Sequence, residues 1–252
     1  MAIKIHTYDQ FQKMRDAGRL AASVLDYITP YVTEGTSTDE LNNLCHNYIL
    51  KHNAIPSPLE QGFPKSICTS VNHVICHGIP NDEKLVEGDI LNIDVCLKLN
   101  GWHGDTSRMF AIGKIARKAQ RLIEVTKKAL ELGIKCVKPG AKFGDIGRAI
   151  QAYVSSCNFS IVKDYCGHGI GELLHDEPQV LHYDTFNPGA EIKEGMFFTI
   201  EPMINAGGEA AIISNHDGWT VTTRDKSLSA QWEHTLGVTK DGVEIFTLSS
   251  SS

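Results

Sequence analysis

Four acids and one histidine in this chain stand where a folded protein does not ordinarily place a charge. Asp94 lies between Ile93 and Val95, Glu201 closes the apolar run that starts at Phe197, and Glu233 is a lone acid within residues 230–238. Asp105, between Gly104 and Thr106, could pass for part of a solvated hairpin face. His168 is expected in a glycine-rich loop, flanked by Gly167 and Gly169, which let the backbone approach something closely. An unpaired buried carboxylate is very costly. Ion pairing would be the plain remedy, yet neither residues 197–204 nor 230–238 contain a Lys or Arg. Metal coordination is the other remedy. Four carboxylates and an imidazole suit hard or borderline divalent ions such as Co, Mn, Fe, Zn or Ni better than copper(I). They outnumber the ligands of a single catalytic zinc. Two ions about 3.5–4 Å apart, bridged by carboxylates, would use all five. The expectation is one or two divalent ions per chain.

Two of these acids end matching stretches. Residues 85–94 line up with residues 192–201: a Glu-Gly turn (Glu87-Gly88, Glu194-Gly195) launches an apolar strand whose last position is an acid. Upstream, Gly35, Glu40, Leu41, Tyr48 and Ile49 correspond to Gly140, Asp145, Ile146, Tyr153 and Val154 at an offset of 105, against 107 at the acids. A long period occurring twice is no solenoid. It predicts two similar halves, about 7–112 and 113–245, within one domain spanning 1–252 and with the site at their seam.

The elements that must position the acids can be read from capping signals and periodicity. Thr7–Gln10 and Ser37–Glu40 are capping boxes. The first opens a helix with the stripe Met14, Ala17, Ala21, Val24 and Ile28; the second precedes Leu41, Leu44, Cys45, Tyr48 and Ile49. A third helix is expected from about Ala116 to Cys136, stopped by Pro139-Gly140, and a fourth carries Ile146, Ala149, Ile150, Tyr153 and Val154. Strand-rich sequence follows each pair: 90–110, then 196–204 and 220–238, within which 197–204 and 230–238 each read as one strand. The order helix, helix, sheet, given twice, makes the class α+β. Asn100-Gly101 is a strong hairpin signal. If these two residues form the loop, Leu99 opposes Trp102, Cys96 opposes Asp105, and Asp94 opposes Ser107. Asp94 and Asp105 then share a face as diagonal neighbours.

Composition limits the alternatives. The chain has 252 residues, 42% hydrophobic and 21% charged, enough for a full core. A net charge of −6 without a basic tract argues against a direct nucleic-acid specificity. No apolar stretch could span a membrane, and residues 1–6 do not read as a signal peptide. Seven cysteines with no C-x-x-C pair speak against a disulfide framework and a structural zinc finger, and fit a cytoplasmic location. G-x-S-x-G and H-E-x-x-H are absent.

The segments Lys65–Cys68, Cys76–Pro80, Asn92–Asp94, Gly101–Asp105, Gly167–Gly171, His175–Pro178, Ile200–Pro202, Asp217–Trp219 and Gln231–His234, in this order, resemble the type I methionine aminopeptidases, short bacterial form. The resemblance implies the pita-bread fold: two pseudo-twofold halves, a curved antiparallel sheet and helices on its outer face. It implies metal-dependent hydrolysis, by a metal-bridging water or hydroxide, of an N-terminal initiator methionine followed by a small residue. By the same likeness His168 and Glu201 hold one metal, Asp94 the other, and Asp105 and Glu233 bridge. Glu201 also shuttles a proton, His77 contacts the scissile amide and His175 the oxyanion. Phe63, Cys68 and Trp219 fall where the family lines its methionine pocket. Leu174 replaces the usual aromatic before His175, and Glu60 stands where an aromatic is common. The implied partners are nascent polypeptide N-termini, met by a monomer in the cytoplasm, with a transient ribosome contact. The loop Asn205–Ala211 lacks basic residues for such a contact. Prolidase and aminopeptidase P share the fold and a similar ligand set, and a non-catalytic binding module of the same fold would have lost ligands; all five are present here.

Overall fold

A computed structural model describes residues 2–249. The first helix, Tyr8–Ile28, starts where the Thr7 N–H donates to Gln10 Oε1 at 2.8 Å. The second, Thr38–Lys51, starts from a reciprocal pair: Ser37 N–H to Glu40 Oε2 at 2.7 Å and Glu40 N–H to Ser37 Oγ at 3.2 Å. Arg117–Lys135 and Phe143–Ser156 form the second pair. Each pair turns its apolar stripe onto a sheet. Leu25, Ile28, Leu41 and Ile49 pack with Leu91, Ile93, Val95 and Leu97. Leu122, Ile134, Ile146 and Ile150 pack with Phe198, Ile200, Leu236 and Val238. These side chains are almost entirely removed from water, so transfer from solvent holds the helices on the sheets.

The hairpin Ile90–Leu99 and Trp102–Ala111 is continuous, with Leu99 opposite Trp102, Cys96 opposite Asp105 and Asp94 opposite Ser107. The two-residue loop puts Asn100 and Gly101 at positive φ, as the turn chemistry demands. Since side chains alternate, Leu91, Ile93, Val95 and Leu97 face the helices while Asn92, Asp94 and Cys96 face the other way. Cys68–Val71 adds to the Ile90–Leu99 edge, with Cys68 opposite Asp94.

The second half departs from the expected long strands. Phe197–Ile200 lies in a five-stranded antiparallel sheet with Gly242–Ile245, His234–Thr239, Gly167–Gly169 and Asp176–Val180. Its continuation Met203–Asn205 belongs to a three-stranded sheet with Ser229–Gln231 and Ser160–Ile161. The chain thus changes sheets twice, through Glu201-Pro202 and through Trp232-Glu233, and both breaks lie side by side. Pro202 has no N–H to give a ladder, which accounts for the first break. Val221–Thr223 pairs instead with Val74–Cys76 and Ala211–Ile213.

Candidate metal centre

The first-half hairpin is stitched to the second half along residues 231–235. Asn92 Nδ2 donates to Gln231 O at 2.8 Å, Thr106 Oγ1 to Glu233 O at 2.8 Å, and the Thr235 hydroxyl to Asp105 O at 2.6 Å. The Glu233 N–H donates to Ser107 O at 3.3 Å. These bonds fix Asp105 beside Glu233. On the other side His168 arrives on Gly167–Gly169, expected as a loop but formed as a short strand with a bulge. A Cβ on Gly169 would sit 2.0 Å from Glu177 O, and one on Gly167 2.4 Å from Thr199 O. The glycines therefore let strands close tightly around the histidine.

Asp94, Asp105, His168, Glu201 and Glu233 all line one cavity of about 370 Å³. Asp105 and Glu233 are 3% and 2% exposed, so the solvated-face alternative for Asp105 does not hold. His168 Nε2 lies 3.6 Å from Asp105 Oδ2 and 3.5 Å from Glu201 Oε1. The opposite oxygen of Asp105, Oδ1, faces Cys96 at 2.8 Å, on the side of Asp94. Asp105 therefore looks two ways, as a bridging carboxylate must. Ligand atoms of Asp105, His168 and Glu233 lie within 4.8 Å of one another, as do those of Asp94, Cys96 and Asp105.

The electrostatics are those of acids without a cation. Burial, then the charge of Asp105, pushes Asp94, Glu201 and Glu233 well above the carboxylate range. Burial raises Asp105 to about 6. Among the described residues no Lys or Arg pairs with any of the four, and none lines the cavity. Burial holds His168 down at about 3, so its ring is neutral. With Nδ1 at 3.1 Å from Gly169 O, the proton sits on Nδ1 and the Nε2 lone pair faces Asp105 and Glu201. Donors bound to a common ion at about 2.0–2.2 Å lie about 3–3.5 Å apart, close to the separations found. The residues present fit divalent metal.

Three supports of Glu201 are not readable as site residues from the sequence. Thr199 Oγ1 donates to its Oε1 at 2.8 Å and Gln231 Nε2 to its Oε2 at 3.3 Å. Its backbone N–H donates to His182 Nε2 at 3.1 Å. Strand parity is the one signal that could have found Thr199 and Gln231, each two residues before an acid. Among the remaining expected residues, His77 sits at φ +53° after Val74–Cys76, its ring 5.6 Å from Tyr165, and His175 stands edge-on to His168 at 4.5 Å. Burial lowers the pKa of both. Phe63 and Trp219 meet edge to face at 5.4 Å, and with Cys68 and Leu174 they give the cavity an apolar wall. Glu60 is not part of that wall; both its oxygens accept from Lys98 Nζ at 2.6 Å.

Antiparallel sheets backed by helix pairs, with acids and a neutral imidazole gathered in one cavity, make up a centre suited to divalent metal. The profile of metallopeptidase family M24 matches residues 12–240. The methionine aminopeptidase of Rickettsia prowazekii is 63% identical over 250 residues, 99% of this chain and 96% of that protein. A crystal structure of methionine aminopeptidase from the same organism superposes with a TM-score of 0.97 at 62% identity, covering 98% of this chain and 100% of the other. Prolidase from Pyrococcus furiosus shares the fold at a TM-score of 0.77 and 21% identity, covering 98% of this chain and 66% of that one. The chain belongs to metallopeptidase family M24 and groups there with the methionine aminopeptidases. Its pita-bread fold is the one that these structures share.

Proposed function

We propose that this chain removes the initiator methionine from peptides and nascent polypeptides whose second residue is small, by metal-dependent hydrolysis. The observation that carries this reading is the convergence of five donors, drawn from both halves of the chain, beside an apolar cavity wall. In this reading His168 and Glu201 would hold one ion, Asp94 would hold another, and Asp105 and Glu233 would serve both. The two outward-looking oxygens of Asp105 support that division. The ion is one of Co, Mn, Fe, Zn or Ni. When bound, it supplies a Lewis acid and makes a water acidic enough to ionise near neutral pH.

The chain's own groups do the rest. Phe63, Cys68, Leu174 and Trp219 receive the methionine side chain, which a flexible thioether fills well. Glu201, its oxygens held by Thr199 and Gln231, carries a proton to the leaving amine. His175 and His77, neutral at pH 7, each keep an N–H to donate, His175 to the developing oxyanion and His77 to the scissile amide. Both halves contribute ligands, so we treat the chain as one catalytic unit. We read it as a cytoplasmic monomer. All seven thiols are free, and no described helix is long and apolar enough to cross a membrane. A transient ribosome contact would use a surface other than the Asn205–Ala211 loop, which carries no basic side chain.

The test is release of free methionine from Met-Gly-Met-Met by protein loaded with each of the five ions, beside Xaa-Pro peptides as controls. Methionine release with no Xaa-Pro cleavage is expected. A metal-loaded protein that leaves the first substrate intact, or prefers the second, overturns the reading.

A further inference from the structure

We propose that Cys96 is a sixth protein donor of the metal centre, placing sulfur on the ion that Asp94 holds and biasing the site toward borderline and soft cations. The inference rests on the metal-dependent reading above. Strand parity puts Cys96 two residues after Asp94 and directly opposite Asp105, on the face turned to the cavity. Its Sγ lies 2.8 Å from Asp105 Oδ1 and 3.9 Å from Asp94 Oδ1. Those gaps bracket the 3.5 and 3.6 Å that separate His168 Nε2 from its neighbouring carboxylates. An oxygen at about 2.0–2.2 Å and a sulfur at about 2.3 Å from one ion lie about 3–3.7 Å apart, a range that the two gaps straddle. The three ligand atoms of Asp94, Cys96 and Asp105 fall within 4.8 Å of each other, the same grouping shown by Asp105, His168 and Glu233.

The placement is also one-sided. Asp105 turns Oδ1 to the sulfur and Oδ2 to the imidazole, so the two ion positions receive different donors. One has nitrogen and oxygen, the other oxygen and sulfur. Donation of the S–H to Asp105 alone is the competing role, and it leaves the sulfur lone pairs facing the cavity. On coordination the S–H proton leaves to solvent as the sulfur–metal bond forms, with no change of oxidation state. Thiolate favours cadmium, zinc and cobalt over manganese more strongly than carboxylates do.

Titration of the metal-free full chain with cobalt(II), followed by absorption, tests this. Wild type should develop both visible d–d bands and a near-ultraviolet sulfur-to-cobalt charge-transfer band. Cys96→Ser, checked for its fold by circular dichroism, should keep d–d bands and lose the charge-transfer band. Cys166→Ser, which alters another thiol lining the cavity, should keep both. Competition between cadmium and manganese should shift toward manganese by about 10–100-fold in Cys96→Ser. Wild-type d–d bands without the charge-transfer band, persistence of that band in Cys96→Ser, or an unchanged cadmium-to-manganese ratio overturns the proposal while sparing the peptidase reading. Absence of any cobalt binding by wild type sinks both.

Discussion

Glu201 is held from three sides, by the Thr199 hydroxyl, the Gln231 amide and, at its backbone, His182. A side chain so fixed is suited to moving a proton at one place. Glu201→Gln keeps volume and removes the charge, so it should retain the fold while kcat drops by about 10²–10⁴-fold. Turnover at saturating methionyl peptide, with metal content measured alongside, decides the matter; near-normal kcat with metal intact refutes the assignment. His175→Ala should lower kcat by about 10²–10³-fold, the loss of one oxyanion donor, while His77→Ala should reduce kcat/KM. Metal content should stay near wild type in both, and loss of metal would make that histidine a ligand. Asp94, Glu201 and Glu233 were legible in sequence because each interrupts an apolar pattern, with no cation in residues 197–204 or 230–238, whereas Asp105 was reached only through the hairpin register. Their supports were not. Thr199, Gln231 and His182 become site residues only through which strands meet, and that is decided by tertiary packing.

At the scale of elements, the helices and the hairpin register followed from capping boxes, 3.6-residue spacing and the Asn100-Gly101 turn, all local signals. The long second-half strands did not form as expected. Residues 196–204 read as one apolar run, yet the run is shared between two sheets and broken at Glu201-Pro202. The break matters, because it frees the glutamate from a regular ladder and turns it into the cavity. The strand carrying His168 depends on the same close packing. Gly169→Ala would drive a methyl to 2.0 Å from the Glu177 carbonyl oxygen, a backbone atom that cannot swing aside. The expected result is destabilisation by about 1–3 kcal/mol, as for an overpacked core. Gly208→Ala, whose Cβ would find its nearest atom at 3.6 Å, serves as the control and should change stability by less than about 0.5 kcal/mol. Equal melting temperatures for the two variants would contradict this account of the Gly167–Gly169 strand.

Over the whole molecule, the two halves meet around charges that neither could bury alone. Asp94 and Asp105 come from the first-half hairpin, and His168, Glu201 and Glu233 from the second half. The repeat in the sequence pointed to a seam, but it could not show that the matched acids have unlike settings. Asp94 lies within a continuous strand, whereas Glu201 lies at a crossing between sheets. The gathered charge makes stability depend on metal and pH together. In the metal-free chain Asp105 is raised to about 6, and Asp94, Glu201 and Glu233 are raised further by burial and mutual repulsion. A carboxyl group raised on folding gives its full stability below its unfolded pKa of about 4 and loses it as pH rises through the folded value. The metal-free protein should therefore lose stability from these groups as pH rises from about 4 through 6 and beyond. Metal reverses the sign, because it favours the ionised carboxylates and acid displaces it. Groups outside the cavity lining, such as His234, held at about 4 by burial, act on the metal-free and metal-loaded forms alike. Their effect cancels in the difference. The gap in melting temperature between metal-loaded and chelator-treated protein should then be wide at about pH 7.5 and close toward about pH 5. A gap that stays constant across that range, or widens on acidification, would mean that the buried carboxylates are not what the metal neutralises.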